Sequence, residues 1–154
     1  MALTNATLTV KVVESLTLNG NSYGGTTTKT FTVDEVLKRI VLCPASVVTT
    51  LVTFAAAVST DASKVNVDED FVEYIRITNL DGTNPVTLDI IGDASLAQYS
   101  LGAGESFLLH STKSSFVGEA DTTSSASLAD VVSIQADPGG NPVECDIFVA
   151  GKNS

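Results

Sequence analysis

Short strand-like segments, separated by turn residues, recur along the whole chain, and this pattern limits the fold more than any other feature. The turn residues come at intervals of about 8 to 15 positions, a spacing typical of sandwiches and barrels. Val, Ile and Thr supply 45 of the 154 residues, and such β-branched side chains pack well in pleated sheets but lose freedom in helices. The chain therefore predicts an all-β fold: a single-domain β-sandwich over residues 1–154, jelly-roll-like or Greek-key, with about 8–10 strands and at most one short helix.

The charge of the chain narrows its possible partners. Asp and Glu number 18 against 8 Lys and Arg, which leaves a formal net charge of −10. Binding to nucleic-acid phosphates requires clustered cations, whereas these cations are scattered, with Lys38 and Arg39 as the one adjacent pair. The longest apolar stretch, residues 47–58, is shorter than the about 20 residues that a membrane-spanning helix needs. We therefore expect neither a nucleic acid nor a membrane as partner.

The two cysteines, Cys43 and Cys145, are about 100 positions apart, and each lies in a strand-like run. A disulfide, two free thiols and a metal pair are all compatible with that spacing. Residues 1–7 show neither the basic nor the apolar segment of a secretory signal, which favours synthesis in the cytoplasm and reduced thiols. We therefore expect two buried, reduced cysteines.

The first third of the chain predicts a hairpin followed by a helical turn. Residues 7–18 place apolar side chains on even positions, as in a half-buried strand, and Glu14 interrupts that face at a bulge or at an end of the sheet. Residues 19–25 are turn residues that lead into the Thr-rich strand 26–32, whose edge is suited to pairing with a neighbouring subunit. Residues 33–41 have the spacing of one helix face, and we expect a helical turn there before a strand.

Turn residues divide the second half in the same way. Residues 80–85 separate two strand-like runs, which we interpret as a hairpin, and residues 102–105 separate another strand pair. Residues 111–130 are rich in Ser and form the one low-complexity stretch. A loop of this length is usually functional, so we expect a mobile or interface loop near 111–130.

The sequence contains no arrangement that predicts catalysis. His110 is the one imidazole, and no nucleophile elbow of the Gly-x-Ser-x-Gly type accompanies it. Asn66, Asp68 and Asp70 resemble the opening of a calcium loop, but Phe71 stands where that loop requires Gly. We therefore expect a non-enzymatic protein that works by contact, with no cofactor and no metal.

Four groups of segments carry a family resemblance: residues 14–20; residues 35–36 with 39–41; residues 74–81 with Asn84; and residues 101–107. Together they resemble small virion structural proteins of marine tailed bacteriophages, especially those of cyanobacteria. The resemblance implies a location in the virion after synthesis in the host cytoplasm.

Within that family resemblance, a capsid decoration (cement) protein is the favoured function. Such a protein stabilises the shell by contact with the major capsid protein or other virion proteins. It would itself be a homo-oligomer, with a trimer favoured because icosahedral lattices offer threefold positions. The alternative is a tail or fibre component that binds a neighbouring tail protein or a host-surface glycan, with Tyr23, Tyr99 and the loop 111–130 as candidate glycan contacts.

For a protein that works by contact, apolar side chains outside the core are the candidate interface residues. We expect this role for Leu3 and Leu8 near the N-terminus, Phe116 and Val117 in the loop, and Phe148 on the last strand. Packing within the chain's own domain is the alternative for each of them. Phe116 and Val117 are the strongest pair, because nothing local in the Ser-rich loop would bury them.

Overall fold

The computed structural model describes residues 5–55, 66–68, 72–92, 96–109 and 131–152. The all-β prediction is confirmed, because these residues form strands, turns and loops, and no helix able to cross a membrane occurs among them. Ten strands have four or more residues and three are shorter. The strands are β1 (Ala6–Glu14), β2 (Thr17–Leu18), β3 (Asn21–Ser22), β4 (Gly25–Val33), β5 (Glu35–Cys43), β6 (Thr49–Ala55), β7 (Asn66–Asp68), β8 (Val72–Asn79), β9 (Val86–Gly92), β10 (Leu96–Leu101), β11 (Ser106–Leu109), β12 (Val131–Asp137) and β13 (Val143–Gly151).

Eight of these strands form a sandwich of two antiparallel sheets. One sheet has the order β11-β8-β13-β5, and the other has the order β10-β9-β12-β6, with the short strand β7 added parallel to β6 at its edge. The chain steps from one sheet to the other between β5 and β6, β7 and β8, β8 and β9, β10 and β11, β11 and β12, and β12 and β13. This arrangement of two nested Greek keys is the jelly roll, which is one of the two topologies that the sequence predicts.

The core of the sandwich lies between the two sheets. Ile75, Ile77 and Ile147 from one sheet meet Leu88 and Ile134 from the other, and all five are fully buried. Burial alternates along β8, β9 and β13 because successive side chains of a strand point to opposite faces. Each such side chain contributes about 1.5–3 kcal/mol through removal of apolar surface from water.

Two predicted hairpins are wrong, although the turns themselves are correct. Residues 80–85 do form a turn, but β8 and β9 belong to different sheets, and the same holds for β10 and β11 around residues 102–105. The flanking strands bury their apolar faces against each other across the core and hydrogen-bond to other partners. Both turns are therefore corners of the sandwich.

The helical turn predicted over residues 33–41 is also wrong. Only Asp34 separates β4 from β5, and β5 is extended over its full length. β5 pairs with β13 through nine residue pairs, from Glu35 opposite Gly151 to Cys43 opposite Val143. This long-range pairing satisfies the backbone of β5 in an extended conformation, so the helical spacing of its apolar residues is not used.

Candidate interaction surface

Residues 6–33 form a long hairpin, here called the arm, which is separate from both sheets of the sandwich. β1 pairs with β4 through nine residue pairs that end at Glu14 opposite Gly25, and the short strands β2 and β3 continue the hairpin. The tip is a tight turn in which Asn19 (φ 51°) and Gly20 (φ 80°) both have positive φ. Asn-Gly is the pair that favours such a hairpin turn, so the predicted hairpin is confirmed here.

The base of the arm packs on the sandwich through a small apolar cluster. Leu8 and Phe31 from the arm meet Tyr74, Phe148 and Ala150, which lie on the side of the β8–β13 pair that faces away from the core. The ring centroids of Phe31 and Tyr74 are 6.0 Å apart, as are those of Tyr74 and Phe148. Leu8 and Phe148 were predicted as interface residues, and the structure places both, half-buried, in this contact within one chain.

The outer half of the arm leaves its apolar side chains exposed. Val12 lies on the same face of β1 as Leu8 but is exposed, and Leu16, Leu18 and Tyr23 near the tip are exposed as well. A two-stranded ribbon is only marginally stable alone in water, and each strand offers an unpaired edge unless something covers it. Among the described residues nothing pairs with the outer edges of β1 and β4. Exposed apolar patches are typical of interaction sites, so the outer half of the arm is a candidate interaction surface.

Gly24 sets the junction between the two segments of the arm. A Cβ atom at this position would lie 2.3 Å from the backbone oxygen of Glu14, a distance that no side chain can occupy. At Gly25 the nearest atom would be the Glu14 Oε2 atom at 3.9 Å, an ordinary contact. Glu14 itself is exposed at the end of β1, which agrees with the prediction that it lies at an end of the sheet.

A second uncovered surface lies on the sandwich itself. We call the side of the β11-β8-β13-β5 sheet that faces away from the core the outer face. It contains a groove of about 430 Å³ lined by Lys38, Arg39, Ile40, Leu80 and Asp146. In the described part of the chain β5 is an edge strand of this sheet, and its Ile40 is exposed next to Asp146 of β13.

One ion pair organises the centre of the outer face. Arg76 binds the Asp146 Oδ2 atom through its Nη2 atom at 2.7 Å, and its Nη1 atom donates to the hydroxyl of Thr78. Arg76 therefore neutralises the charge of Asp146, the one acidic residue among those that line the groove. The other charged lining residues are the cations Lys38 and Arg39.

The arm and the rest of the chain carry net charges of opposite sign. The arm contains Lys11 and Lys29 against the single acid Glu14, so its formal charge is +1. Since the whole chain carries −10, the remainder carries −11. The net negative charge of the chain therefore lies entirely outside the arm.

The inner face of the sandwich brings the two cysteines together. Cys43 is opposite Val143 and Cys145 is opposite Val41, so the two thiols are diagonal neighbours in the core, and both are free. This confirms the expectation that both cysteines are buried, and their reduced state stays a prediction. The contact with the Cys43 thiol, together with burial, raises the pKa of Cys145, so this thiol stays protonated.

The described residues bring together no evident metal centre. No group of three or more His, Cys, Asp or Glu side chains that could hold an ion occurs among them. Of the residues that resemble a calcium loop, Asn66 and Asp68 lie in β7, and Asp70 lies outside the described residues.

Several sequence-predicted residues lie outside the described ranges and stay predictions. They are Leu3, Phe116, Val117 and His110, together with the loop 111–130. Nothing in the fold tests their predicted roles.

The sequence predicts part of the uncovered surface of the arm, namely the edge of residues 26–32 and Tyr23, but not its exposed Leu16 and Leu18 or the groove on the outer face. One signal for the outer face was present in residues 40–43, which are four consecutive apolar residues. Such a run is typical of a strand that is buried on both faces. In the single chain only Val41 and Cys43 are buried, while Ile40 and Leu42 are exposed.

Comparison with known proteins finds no relative: no family model, curated protein or solved structure matches the chain.

Proposed function

We propose that the chain is a non-enzymatic virion structural protein, a capsid decoration protein of a tailed bacteriophage that binds its neighbours through the arm. The observation that carries this proposal is the arm itself. Its base is anchored on the sandwich by Phe31, and its outer half presents exposed Leu16 and Leu18. A jelly roll with such an arm has the shape of a subunit that adds to a larger assembly by contact.

The fold supports this proposal by analogy. Jelly rolls are common in viral capsid proteins, but they also occur in lectins and cupins, so the fold alone leaves several functions open. The segments that resemble virion proteins include residues 74–81 and 101–107, which form β8 with its corner and the opposite corner turn. The fold and the resemblance therefore support the same function.

The arm suggests how attachment would occur. The outer edges of β1 and β4 carry backbone donors and acceptors that a strand of a neighbouring shell subunit can pair with, as in strand addition. Exposed apolar side chains on the same ribbon supply area that contact would remove from water. A protein made in bulk in the host cytoplasm would bind the completed shell in this way without any covalent step, as a trimer at threefold positions or as single subunits.

Reconstitution on phage particles tests the proposal. Particles assembled without the chain are mixed with wild-type protein, with an arm variant (L16S and L18S) or with a control variant (L96S and V48S). The exposed fractions match, at 53% and 55% for the arm pair and 54% and 51% for the control pair. Wild type and control should bind the shell and raise its resistance to heat, whereas the arm variant should bind weakly.

Cryo-electron microscopy of native particles supplies the second readout. Density for the jelly roll on the outside of the shell supports the proposal. Density in the tail would overturn it in favour of a tail or fibre component, and a glycan array would then test host binding. Particles that lack the chain altogether would refute a virion function.

A further inference from the structure

We propose that the free edge of β5, with the groove beside it, binds an extended acidic segment of another protein as an added strand. This surface is distinct from the exposed outer half of the arm. The inference goes beyond the proposed function, because it holds or fails whether or not the chain is part of a virion.

The backbone of β5 is available for such a pairing. β5 is the last strand in the sheet order β11-β8-β13-β5, and its nine residues pair with β13 along one side. In the described part of the chain no strand pairs with its other side. Unpaired backbone groups of an edge strand are the template for strand addition. β5 is also the longest described edge strand of the sandwich, since β7, β10 and β11 have three, six and four residues.

The outer face of β5 carries a row of apolar side chains, here called the outer row. It consists of Val36, Ile40 and Leu42, which are 55%, 62% and 58% exposed. Alternate residues of a strand share a face, so these three side chains lie in line. A sheet face that meets only water usually carries polar side chains. An added strand would place its own side chains opposite the outer row and remove it from water.

Two cations flank the middle of this edge. Lys38 and Arg39 are consecutive, so their side chains start from opposite faces of the strand, and both line the groove. Neither forms an ion pair with a described residue, because the ion pairs found there involve Arg76 and Lys152. Asp146, the one acid of the groove, is bound to Arg76. The edge therefore offers two positive charges that an incoming strand can pair with.

Charge complementarity favours an acidic partner over a second copy of the chain. Antiparallel pairing of β5 with the β5 of another copy about its middle residue would place Arg39 opposite the same cation. Like charges directly opposite each other are destabilising, and a Lys on an edge strand is a usual protection against self-pairing. An acidic strand instead forms two attractive cross-strand pairs with Lys38 and Arg39.

Neighbouring charges determine where the acids of the segment must lie. The next depression along the outer face is lined by Leu42 with the acids Asp81 and Glu144, which would repel a further acid. The segment therefore needs two consecutive acids opposite Lys38 and Arg39, and apolar residues opposite the outer row. In an antiparallel register, the commoner pairing, the pattern is apolar-x-apolar-acid-acid-x-apolar.

The test is an NMR titration of the ¹⁵N-labelled full chain with a capped probe peptide, Val-Thr-Val-Glu-Glu-Thr-Val, and with the same peptide carrying Gln-Gln in place of Glu-Glu. The acidic peptide should shift the amide signals of β5 and bind about 5- to 10-fold more tightly, because it gains two cross-strand charge pairs. Raising the salt concentration should reduce this preference. This comparison uses wild-type protein and depends on no variant.

A charge variant with a matched control tests which cations are responsible. K38A with R39A should remove the preference for the acidic peptide. K11A with K29A changes the net charge by the same amount at two exposed positions of the arm, and should leave the preference unchanged. Circular dichroism should show the same fold for both variants.

Strand addition has a separate readout in the backbone of the probe. The N–H groups of alternate residues in an added strand point toward β5, and the others point away. Acidic peptides that are N-methylated at odd or at even positions should therefore differ, with one pattern abolishing binding. Equal binding of the two methylated forms would reveal a general anion site and overturn the proposal.

Four further results would overturn the proposal. They are equal affinity for the acidic and Gln peptides, signal shifts confined to the arm, loss of the preference in the arm control, and absence of binding at about 1 mM peptide, which is too weak for a specific contact. Self-association of wild type that excludes the probe would show a second copy at this edge and would also refute it. None of these measurements uses phage particles, so their failure leaves the proposed function to its own test.

Discussion

Replacement of Asn79 by Asp should destabilise the sandwich by about 4 kcal/mol, because this one side chain joins two corners of the fold. Asn79 is 0% exposed, and its Nδ2 atom donates toward the backbone oxygens of Asn84 (2.9 Å), Gly102 (3.1 Å) and Leu101 (3.3 Å). Its Oδ1 atom accepts from the backbone N–H of Asp81 at 2.9 Å. An Asp side chain has nearly the same shape and keeps the acceptor, but it removes both N–H donors.

The magnitude follows from what the carboxyl group leaves unpaired. For the ionised form, loss of two hydrogen bonds costs about 2 kcal/mol, and the buried carbonyl oxygens that then face a carboxylate without a donor cost about 2 kcal/mol more. This sum is a large part of the 5–15 kcal/mol that stabilises a typical domain. Urea unfolding followed by circular dichroism measures it, with N141D in an exposed turn as the matched control.

The same variant should show a distinctive dependence on pH. Burial and the facing oxygens would raise the pKa of the new carboxyl in the folded state above its value of about 3.9 in the unfolded chain. The folded state then holds more protons, so stability falls as pH rises from about 4 until the pH passes the folded-state pKa, and it levels off above that. A deficit below about 1 kcal/mol, or one that is equal at pH 4 and pH 8, would refute the reasoning.

Three further predictions concern the arm, the core and the cysteines. G24A should weaken binding to phage particles that lack the chain, because its Cβ would lie 2.3 Å from a backbone oxygen of the arm, and should leave the unfolding midpoint of the sandwich unchanged. G25A, whose Cβ would have 3.9 Å of room, should change neither, and equal effects of the two variants would contradict the geometry. Replacement of the fully buried Ile147 by Ala should cost about 2–5 kcal/mol in urea unfolding, and a loss below about 1 kcal/mol would mean that β13 is not central to the core. A thiol reagent should label Cys43 and Cys145 only as fast as the chain unfolds, since both are buried, whereas rapid labelling of the folded protein would contradict that burial.

The sequence predicts local conformation well in this chain. The positive φ angles of Asn19 and Gly20 follow from residue types that tolerate them, and the corner turns at residues 80–85 and 102–105 are correctly placed. The strand content follows from β-branched composition. Each of these features depends on a few neighbouring residues, whose steric limits are the same in any fold.

Which strands pair with each other could not be predicted from local sequence. A turn between two strands contains the same residue types whether the strands pair in one sheet or lie in opposite sheets. That residues 80–85 form a corner is visible only in long-range contacts, such as the hydrogen bonds from Asn79 to Leu101 and Gly102, 22 and 23 residues further along. Residues 33–41 suit a helix face or a strand equally, and pairing with β13 decides between them. These outcomes depend on contacts between distant segments, which no local pattern records.

The candidate interaction surface depends partly on local sequence and partly on tertiary structure. The alternation in residues 7–18 determines that the arm is an amphipathic ribbon, and residues 40–43 determine a strand that is apolar on both sides. Only the tertiary structure decides that the arm covers part of the outer face and leaves the groove open. The physical reason is that burial depends on what packs against a side chain: Leu8 and Val12 lie on the same face of β1, but Leu8 packs against the sandwich and Val12 stays exposed.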